Sequence, residues 1–432
     1  MQVGGMAWGK INDTKAHGLL DNKLEASVVK AVVIGNNVAG TTLAKAVRDV
    51  DRDVQIEIFT EEAVPYYPRP KLIDFIAGTV DEGKILFYPM DWYEKNDLRL
   101  HLNSRVERID APGKKIFVGG EWYSYDKLVL ANGSKAFMPP FKGLPKDNVF
   151  TLRTLDDAMR IRKAAANSSK VVVIGGGLLG LETARALATG FPKLKMTVLE
   201  YAEHLLMRQL DHPGAEILQN TMRSLGTEVF TNAETQELRG DGAVKEIVLK
   251  DGRTLECDMV VVSAGARADL TLGKGAGLAV GRGVIVDSSL RTSDESIYAV
   301  GDVAEFDGKV WGMIPPALDQ ARIAAKKVLG LETPDYAGTI PSNTLKVMGI
   351  DLTSIGVVRS EHDPPEPSFE EIRATSADGK TYKKFVIKDG KMIGAILLGS
   401  KKETAKITKL IKEGSAIDGL RDKLADPEYD FT

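Results

Sequence analysis

The most specific chemical signal in this 432-residue chain is the run Gly175-Gly176-Gly177-Leu178-Leu179-Gly180. Glycines at the first, third and sixth places suit a dinucleotide pyrophosphate. The first allows a tight turn, the second lets backbone approach the phosphates, and the third lets the following helix pack on the preceding strand with the anion at its N-terminus. The context fits, because the run follows the apolar stretch Lys170–Ile174 and opens a helical pattern over Leu181–Ala188. Glu200 stands 20 residues past Gly180, at the end of the next apolar stretch, Met196–Leu199. A carboxylate there accepts hydrogen bonds from a ribose 2′-hydroxyl and repels a 2′-phosphate, so NAD is expected over NADP. Tyr201, Ala202 and Glu203 follow without an arginine, which agrees. A solvated strand-end carboxylate is the plainer alternative for Glu200.

A second, imperfect copy of the pattern lies upstream, in Gly35-Asn36-Asn37-Val38-Ala39-Gly40, with Asn37 where the second glycine belongs. Asparagine tolerates unusual backbone but is expected to bring a side chain towards the phosphates. Glu61 and Glu62, just past the next strand, are the ribose candidates of this copy.

These turns need strands and helices to position them. Val28–Gly35 reads as a strand buried on both faces, Thr41–Val50 as a helix and Val54–Phe59 as the next strand, a βαβ unit. The same order returns around Gly175, 140 residues beyond Gly35, so two dinucleotide modules are expected. Lys127–Gly133 and Asp258–Gly265, apolar runs ending in glycine, read as returning strands, while Lys115–Val118 and Val244–Leu249 suggest small antiparallel inserts. A new unit begins near Thr333, with strand-like Thr344–Val347, Lys383–Ile387 and Met392–Leu398 and a helix over Glu403–Lys412.

Composition narrows the chemistry. At this length more than one core is needed, since single cores stop growing near ~250–300 residues. A net charge of −3 gives no broad basic field for nucleic acid and no polybasic signal for an anionic membrane. One cysteine, Cys257, excludes an intramolecular disulfide and cysteine-held zinc or iron–sulfur centres; next to an apolar run it reads as inert. His17, His101, His204, His212 and His362 show no metal-ligand spacing, so no metal is expected. Residues 1–27 read as a flexible extension or a partner-docking arm, with neither a signal peptide nor a membrane-spanning stretch, and a cytoplasmic protein follows.

A family resemblance enters with Thr292-Ser293-Asp294-Glu295-Ser296-Ile297-Tyr298-Ala299-Val300-Gly301-Asp302, which resembles the second FAD fingerprint of the pyridine nucleotide-linked flavoprotein reductases. In that family the final aspartate holds the ribityl chain, a role carried to Asp302 beside Gly301. Tyr125–Ser134 resembles the family's strand ending in Ala-Thr-Gly, here Ala131-Asn132-Gly133. Tyr66-Tyr67-Pro68-Arg69-Pro70-Lys71-Leu72 is similar to the Arg-Pro segment over the flavin in NADH:rubredoxin and ferredoxin reductases. Val310–Ala321 and Leu345–Asp351 resemble the flavin module of the assimilatory nitrite reductase large subunit.

The resemblance, which covers roughly residues 28–399, implies a glutathione-reductase-like α/β fold with two Rossmann-like domains, binding FAD and NAD, and a small C-terminal α/β domain. The expected FAD-binding domain is 28–150 with 266–332, the NAD-binding domain 151–265 and the C-terminal domain 333–432. It further implies that Arg69 and Pro70 lie along the flavin, and that the turn at Pro316-Ala317-Leu318 aims a helix N-terminus at the ring. It places Glu182, in the first turn of the second nucleotide helix, near the nicotinamide, and puts Val106 and Gly265 among the cofactor contacts. Glu182 has an equally good reading as a helix N-terminal charge worth ~0.3–1 kcal/mol, and Arg69 one as a surface charge. Arg69 and Glu182 are the catalytic candidates.

With no thiol to relay charge, the expectation is an oxidoreductase that moves electrons from NADH through FAD to a protein carrier: rubredoxin, ferredoxin or an iron–sulfur partner. Lys402, Lys406 and Lys409, with Lys401 and Lys412 nearby, form a face that could dock an acidic carrier or could simply be solvated. A relay subunit of a larger redox complex and a peroxide-forming NADH oxidase are the alternatives.

Overall fold

The computed structural model describes residues 29–359, 363–364, 366–417 and 419–429. The expected N-terminal extension, with His17, and His362 lie outside the described residues.

Two five-stranded parallel sheets form the body. In the first the order is Ile297–Ala299, Lys127–Leu130, Lys30–Ile34, Gln55–Phe59, Arg99–His101. In the second it is Glu228–Phe230, Lys195–Leu199, Lys170–Ile174, Met259–Val262, Val149–Thr151. The central strands are β-branched and buried along nearly their whole length, as a sheet covered on both faces requires. Val149–Thr151 pairs into the second sheet and so straddles the expected division at 150/151.

The two nucleotide helices begin earlier than periodicity suggested. The first runs Val38–Val50 and the second Leu178–Gly190, so the last residues of each glycine turn already form helix. In both, the opening residues, Val38-Ala39-Gly40 and Leu178-Leu179-Gly180, read as part of the glycine turn, whose glycine hides the start of the helical period. Three-stranded antiparallel sheets stand where the inserts were expected, at Val106–Asp110, Lys115–Val118, Glu121–Ser124 and at Thr235–Arg239, Glu246–Leu249, Thr254–Glu256.

The C-terminal unit is one antiparallel sheet in the order Ser342–Val347, Ile350–Gly356, Lys391–Leu398, Tyr382–Lys388, Phe369–Thr375. The helix Thr404–Glu413 packs Ile407 and Ile411 against it. Two of its strands, Ile350–Gly356 and Phe369–Thr375, were not read from the sequence; the second, FEEIRAT, is too polar to give a period-2 signal. The unit shares a core with the second parallel sheet, where Leu352, Tyr382, Ile396 and Leu398 meet Leu210, Ala215 and Leu218. A buried polar knot crosses the same seam. Asp211 caps the helix His212–Ser224 through Gly214 N at 3.4 Å. Its carboxylate takes Tyr382 Oη at 2.6 Å and Lys384 Nζ at 3.3 Å, with Asp211 and Lys384 both fully enclosed.

Candidate active site

At the C-terminal ends of the first sheet lies a cavity of about 360 Å³, walled by Gly35, Asn36, Asn37, Glu61, Glu62, Arg69, Val106 and Asn132 among others. A second, of about 250 Å³, has Asn37 and Arg69 in its wall as well, so the two adjoin. The second draws on both nucleotide turns: Val38 and Ala39 from the first, Leu179 and Glu182 from the second. Pro70, Ala131, Gly133, Gly301, Asp302 and Ala317 complete the set of expected residues in its wall.

The two cradles are built alike. Gly35 has φ +113° and Gly175 φ +119°, and a Cβ on either would stand 2.2 Å from a carbonyl oxygen, that of Ala131 or of Ser263. On Gly40 or Gly180 it would stand 2.0 Å from the carbonyl oxygen of Gly35 or Gly175. Only glycine fits these four places, which is the close-approach geometry a pyrophosphate cradle needs.

Asn37 behaves differently from expectation. Its backbone is extended, with φ −125°, and needs no glycine. Its side chain turns back rather than outward: Oδ1 accepts from Ala39 N at 3.0 Å and Gly40 N at 3.3 Å, and Nδ2 donates to the carbonyl of Ala131. Asn37 is therefore an N-cap and a strap to the neighbouring strand.

The Glu61–Glu62 pair is divided. Glu61 is exposed, 3.8 Å from Arg105 Nε. Glu62 is turned inward, its Oε1 2.7 Å from Arg69 Nη2 and its Oε2 accepting from Tyr67 Oη. Both its oxygens are engaged, and Glu62 still lines the first cavity beside Glu61. Arg69 also donates to Tyr67 Oη at 2.8 Å and Arg153 O at 2.6 Å, so it is a fixed wall of both cavities rather than a loose surface charge.

Asp302 accepts from Ser134 Oγ at 2.9 Å and Arg153 Nη2 at 3.2 Å. Arg153 was missed by sequence reasoning. Burial and the charge of Arg69 pull its pKa below the ordinary arginine value, Asp302 opposing. The available signal was its place just before Thr154-Leu155-Asp156-Asp157, whose capping box starts a helix at the crossing between the two sheets. Tyr66, also in the second wall, has its hydroxyl pushed up to about 12 by burial.

Pro316 and Ala317 lie in the first turn of the helix Ile314–Val328 and Leu318 just beyond it; the helix start, Gly312-Met313-Ile314, reaches the second cavity. Pro315 and Pro316 have no N–H, so this end offers its dipole and few donors. Pro316 and Leu318 are not in the wall, and Gly265 is in neither wall, its carbonyl accepting from Phe137 N at 2.9 Å. Glu182 is the fifth residue of its helix, beyond the first turn, which weakens the helix-charge reading. Burial raises its pKa, Arg185 opposing and Asp74 adding to the rise. Glu200 accepts from Gly176 N at 2.5 Å and Ala202 N at 2.7 Å, which fixes it beside the second cradle with Gly175, Gly177, Leu178 and Gly180.

The residues present fit FAD and NAD. Besides the glycine cradles, buried Asn36 Nδ2 and Asn132 Oδ1, both of residues in the first wall, have no hydrogen-bond partner, as expected of groups waiting for a polar ligand. Among the described residues no group of three or more His, Cys, Asp or Glu side chains could hold a metal ion, and no helix is long and apolar enough to cross a membrane.

Comparison with known proteins agrees with this geometry. Residues 29–326 match the pyridine nucleotide-disulphide oxidoreductase family and 341–415 the rubredoxin NAD+ reductase C-terminal domain. The chain is 35% identical over 389 residues to a nitrite reductase (NAD(P)H) of Bacillus subtilis, across 89% of this chain and 47% of that protein. It is 33% identical over 393 residues to an NADH-rubredoxin oxidoreductase of Clostridium acetobutylicum, across 90% and 96%. A solved ferredoxin reductase from Rhodopseudomonas palustris superposes with a TM-score of 0.82 at 26% identity, across 93% and 98%. The chain thus spans about half the length of several curated relatives it matches and nearly all of others.

Proposed function

We propose, from the premise that this chain belongs to the pyridine nucleotide-disulphide oxidoreductase family, that it is an FAD-dependent NADH oxidoreductase handing electrons to a small protein carrier. The observation that carries the reading is the second cavity, whose wall takes Ala39 from one nucleotide turn and Leu179 with Glu182 from the other, so that ligands of the two cradles meet there. FAD, when bound, supplies the exchange between a two-electron hydride and single electrons.

The chain's own part is to bind and orient. The Gly35–Gly40 turn and Asn36 would hold the pyrophosphate end of FAD, with Glu61 and Glu62 at its ribose. Asp302 would hold the ribityl chain, Asn132 the adjoining polar edge, and Arg69 and Arg153 would supply positive charge where reduction builds negative charge. The Gly175–Gly180 turn and Glu200 would hold NADH and disfavour a 2′-phosphate. Held face to face, donor and acceptor react as one molecule, which lowers the barrier by positioning.

No thiol can relay the charge. Cys257 is buried in a core cluster with Val172 and Val260, and burial pushes its pKa up to about 12. Electrons therefore leave directly for an outside carrier: rubredoxin, ferredoxin or an iron–sulfur partner. Exposed Lys406 and Lys409, on a helix whose Ile407 and Ile411 face inward, and Lys402 in the turn before it give an acidic carrier a docking face. Partial coverage of the nitrite reductase favours a second reading, in which the chain serves as the front end of a larger redox assembly. Anaerobic NADH followed by a panel of carriers tests the proposal; no carrier reduced, with rapid oxygen consumption once air is admitted, would favour a peroxide-forming oxidase instead.

A further inference from the structure

We infer that Glu182 is the proton port of the second cavity: its carboxylate takes up the proton that each turnover leaves behind and passes it to solvent. This rests on the functional reading above. NADH gives up two electrons and one proton as hydride, while one-electron carriers accept electrons alone. The balance is NADH + 2 oxidised carriers → NAD+ + H+ + 2 reduced carriers, so one proton must leave the walled site each time.

The wall offers five titratable side chains: Tyr66, Arg69, Arg153, Glu182 and Asp302. Tyr66 holds its proton up to about 12. Arg69 is paired with Glu62, and Arg153 with Asp302, whose carboxylate also accepts from Ser134. Among the described residues Glu182 is the one of the four charged groups with neither a side-chain hydrogen bond nor an ion-pair partner within 4 Å. It is half-buried, beside Leu179, which is 41% exposed, so it stands between cavity and water.

Charged groups around it come from each neighbouring element: Lys71 and Asp74 on the helix Lys71–Ala77 packed against its own, Arg69 before that helix, Arg153 and Asp302 across the cavity, Lys346 on the adjoining C-terminal strand, and Arg185 one turn along. Burial lifts the Glu182 pKa above the usual carboxylate value, with Arg185 opposing and Asp74 adding. A carboxyl so displaced towards working pH both takes and releases a proton readily.

The test has two readouts. In the FAD-free chain and after reconstitution, infrared difference spectra across a pH titration should contain a carboxyl band that is absent from Glu182→Gln, titrates above the ordinary carboxylate range, and moves to lower pH in Asp74→Asn. In the loaded enzyme, NADH oxidation by ferricyanide, which takes electrons only, should rise with pH as Glu182 ionises. That limb should shift to lower pH in Asp74→Asn, and in Glu182→Gln the limb should vanish with a rate loss of about tenfold or more. A Glu182→Gln chain that keeps the parent limb, or no Glu182 band in the titration, would overturn the port while leaving the oxidoreductase reading intact. Failure of NADH to bleach the parent's flavin would instead overturn that reading.

Discussion

Replacing Asn37 separates two jobs that one side chain performs. Asn37→Ser keeps an oxygen to accept from Ala39 N and Gly40 N but is too short to donate to Ala131 O; Asn37→Gly loses all three bonds. The strap is one partly buried hydrogen bond, worth about 0.5–1.5 kcal/mol net, so the serine variant should lose about 1 kcal/mol. Glycine at an N-cap costs only a few tenths more, and its extra freedom in the unfolded chain adds ~0.5–1 kcal/mol. The glycine variant should therefore be less stable than the parent by about 2 kcal/mol. Its effect on FAD runs the other way. Asn37 Oδ1 occupies two amides at a helix N-terminus, where a phosphate would bind, so freeing them should tighten FAD about fivefold relative to Asn37→Ser, roughly 1 kcal/mol. Denaturant unfolding of the FAD-free chains and fluorescence titration with FAD measure both. A glycine variant as stable as the parent, or one that binds FAD more weakly than the serine variant, would refute the reasoning.

Other consequences follow from single groups. Lys384→Met strips Asp211 and Glu371 of a fully enclosed cation, at 3.3 and 3.2 Å, and should destabilise by about 3 kcal/mol in urea unfolding, less when Asp211→Asn is added. Burial alone would raise the pKa of Glu57, but Lys30 and His101 outweigh it and hold the carboxyl below its usual value. Its stabilisation is present above the unfolded-state pKa and lost as pH falls through the folded value, so parent and Glu57→Gln should differ in stability at pH 7 and converge in acid, read by unfolding at several pH values. A Cβ at Gly176 would stand 2.5 Å from the Leu205 side chain and 2.9 Å from Glu200 Oε2, so Gly176→Ala should raise KM for NADH about tenfold (~1.4 kcal/mol) at unchanged FAD content.

Much of this architecture was legible because the physics is local. A strand buried on both faces, a glycine turn and a helix leave a signature within thirty residues, and it appeared at both Gly35 and Gly175. What stayed hidden depends on folding at a distance. Nothing near Arg153 says that Asp302, 149 residues on, will receive it, and even Tyr67 and Arg69, five and seven residues past Glu62, meet it only because an irregular loop turns back. The strand Phe369–Thr375 was invisible because its glutamates and arginine serve ion pairs: Glu371 meets Lys384, and Glu370 meets Arg421. Asn37 looked like a flaw in a fingerprint, since the sequence does not show that its backbone is extended and its side chain turned inward.

The central claim is that the two cradles hold FAD and NADH against one another across a single cavity. Anaerobic addition of NADH to the FAD-loaded chain, followed by absorbance, tests it most directly. The account requires the flavin band to bleach at one equivalent of NADH and to return when an oxidised one-electron carrier is added. A yellow protein that NADH leaves unbleached, or a chain that takes up no FAD at all, would contradict it.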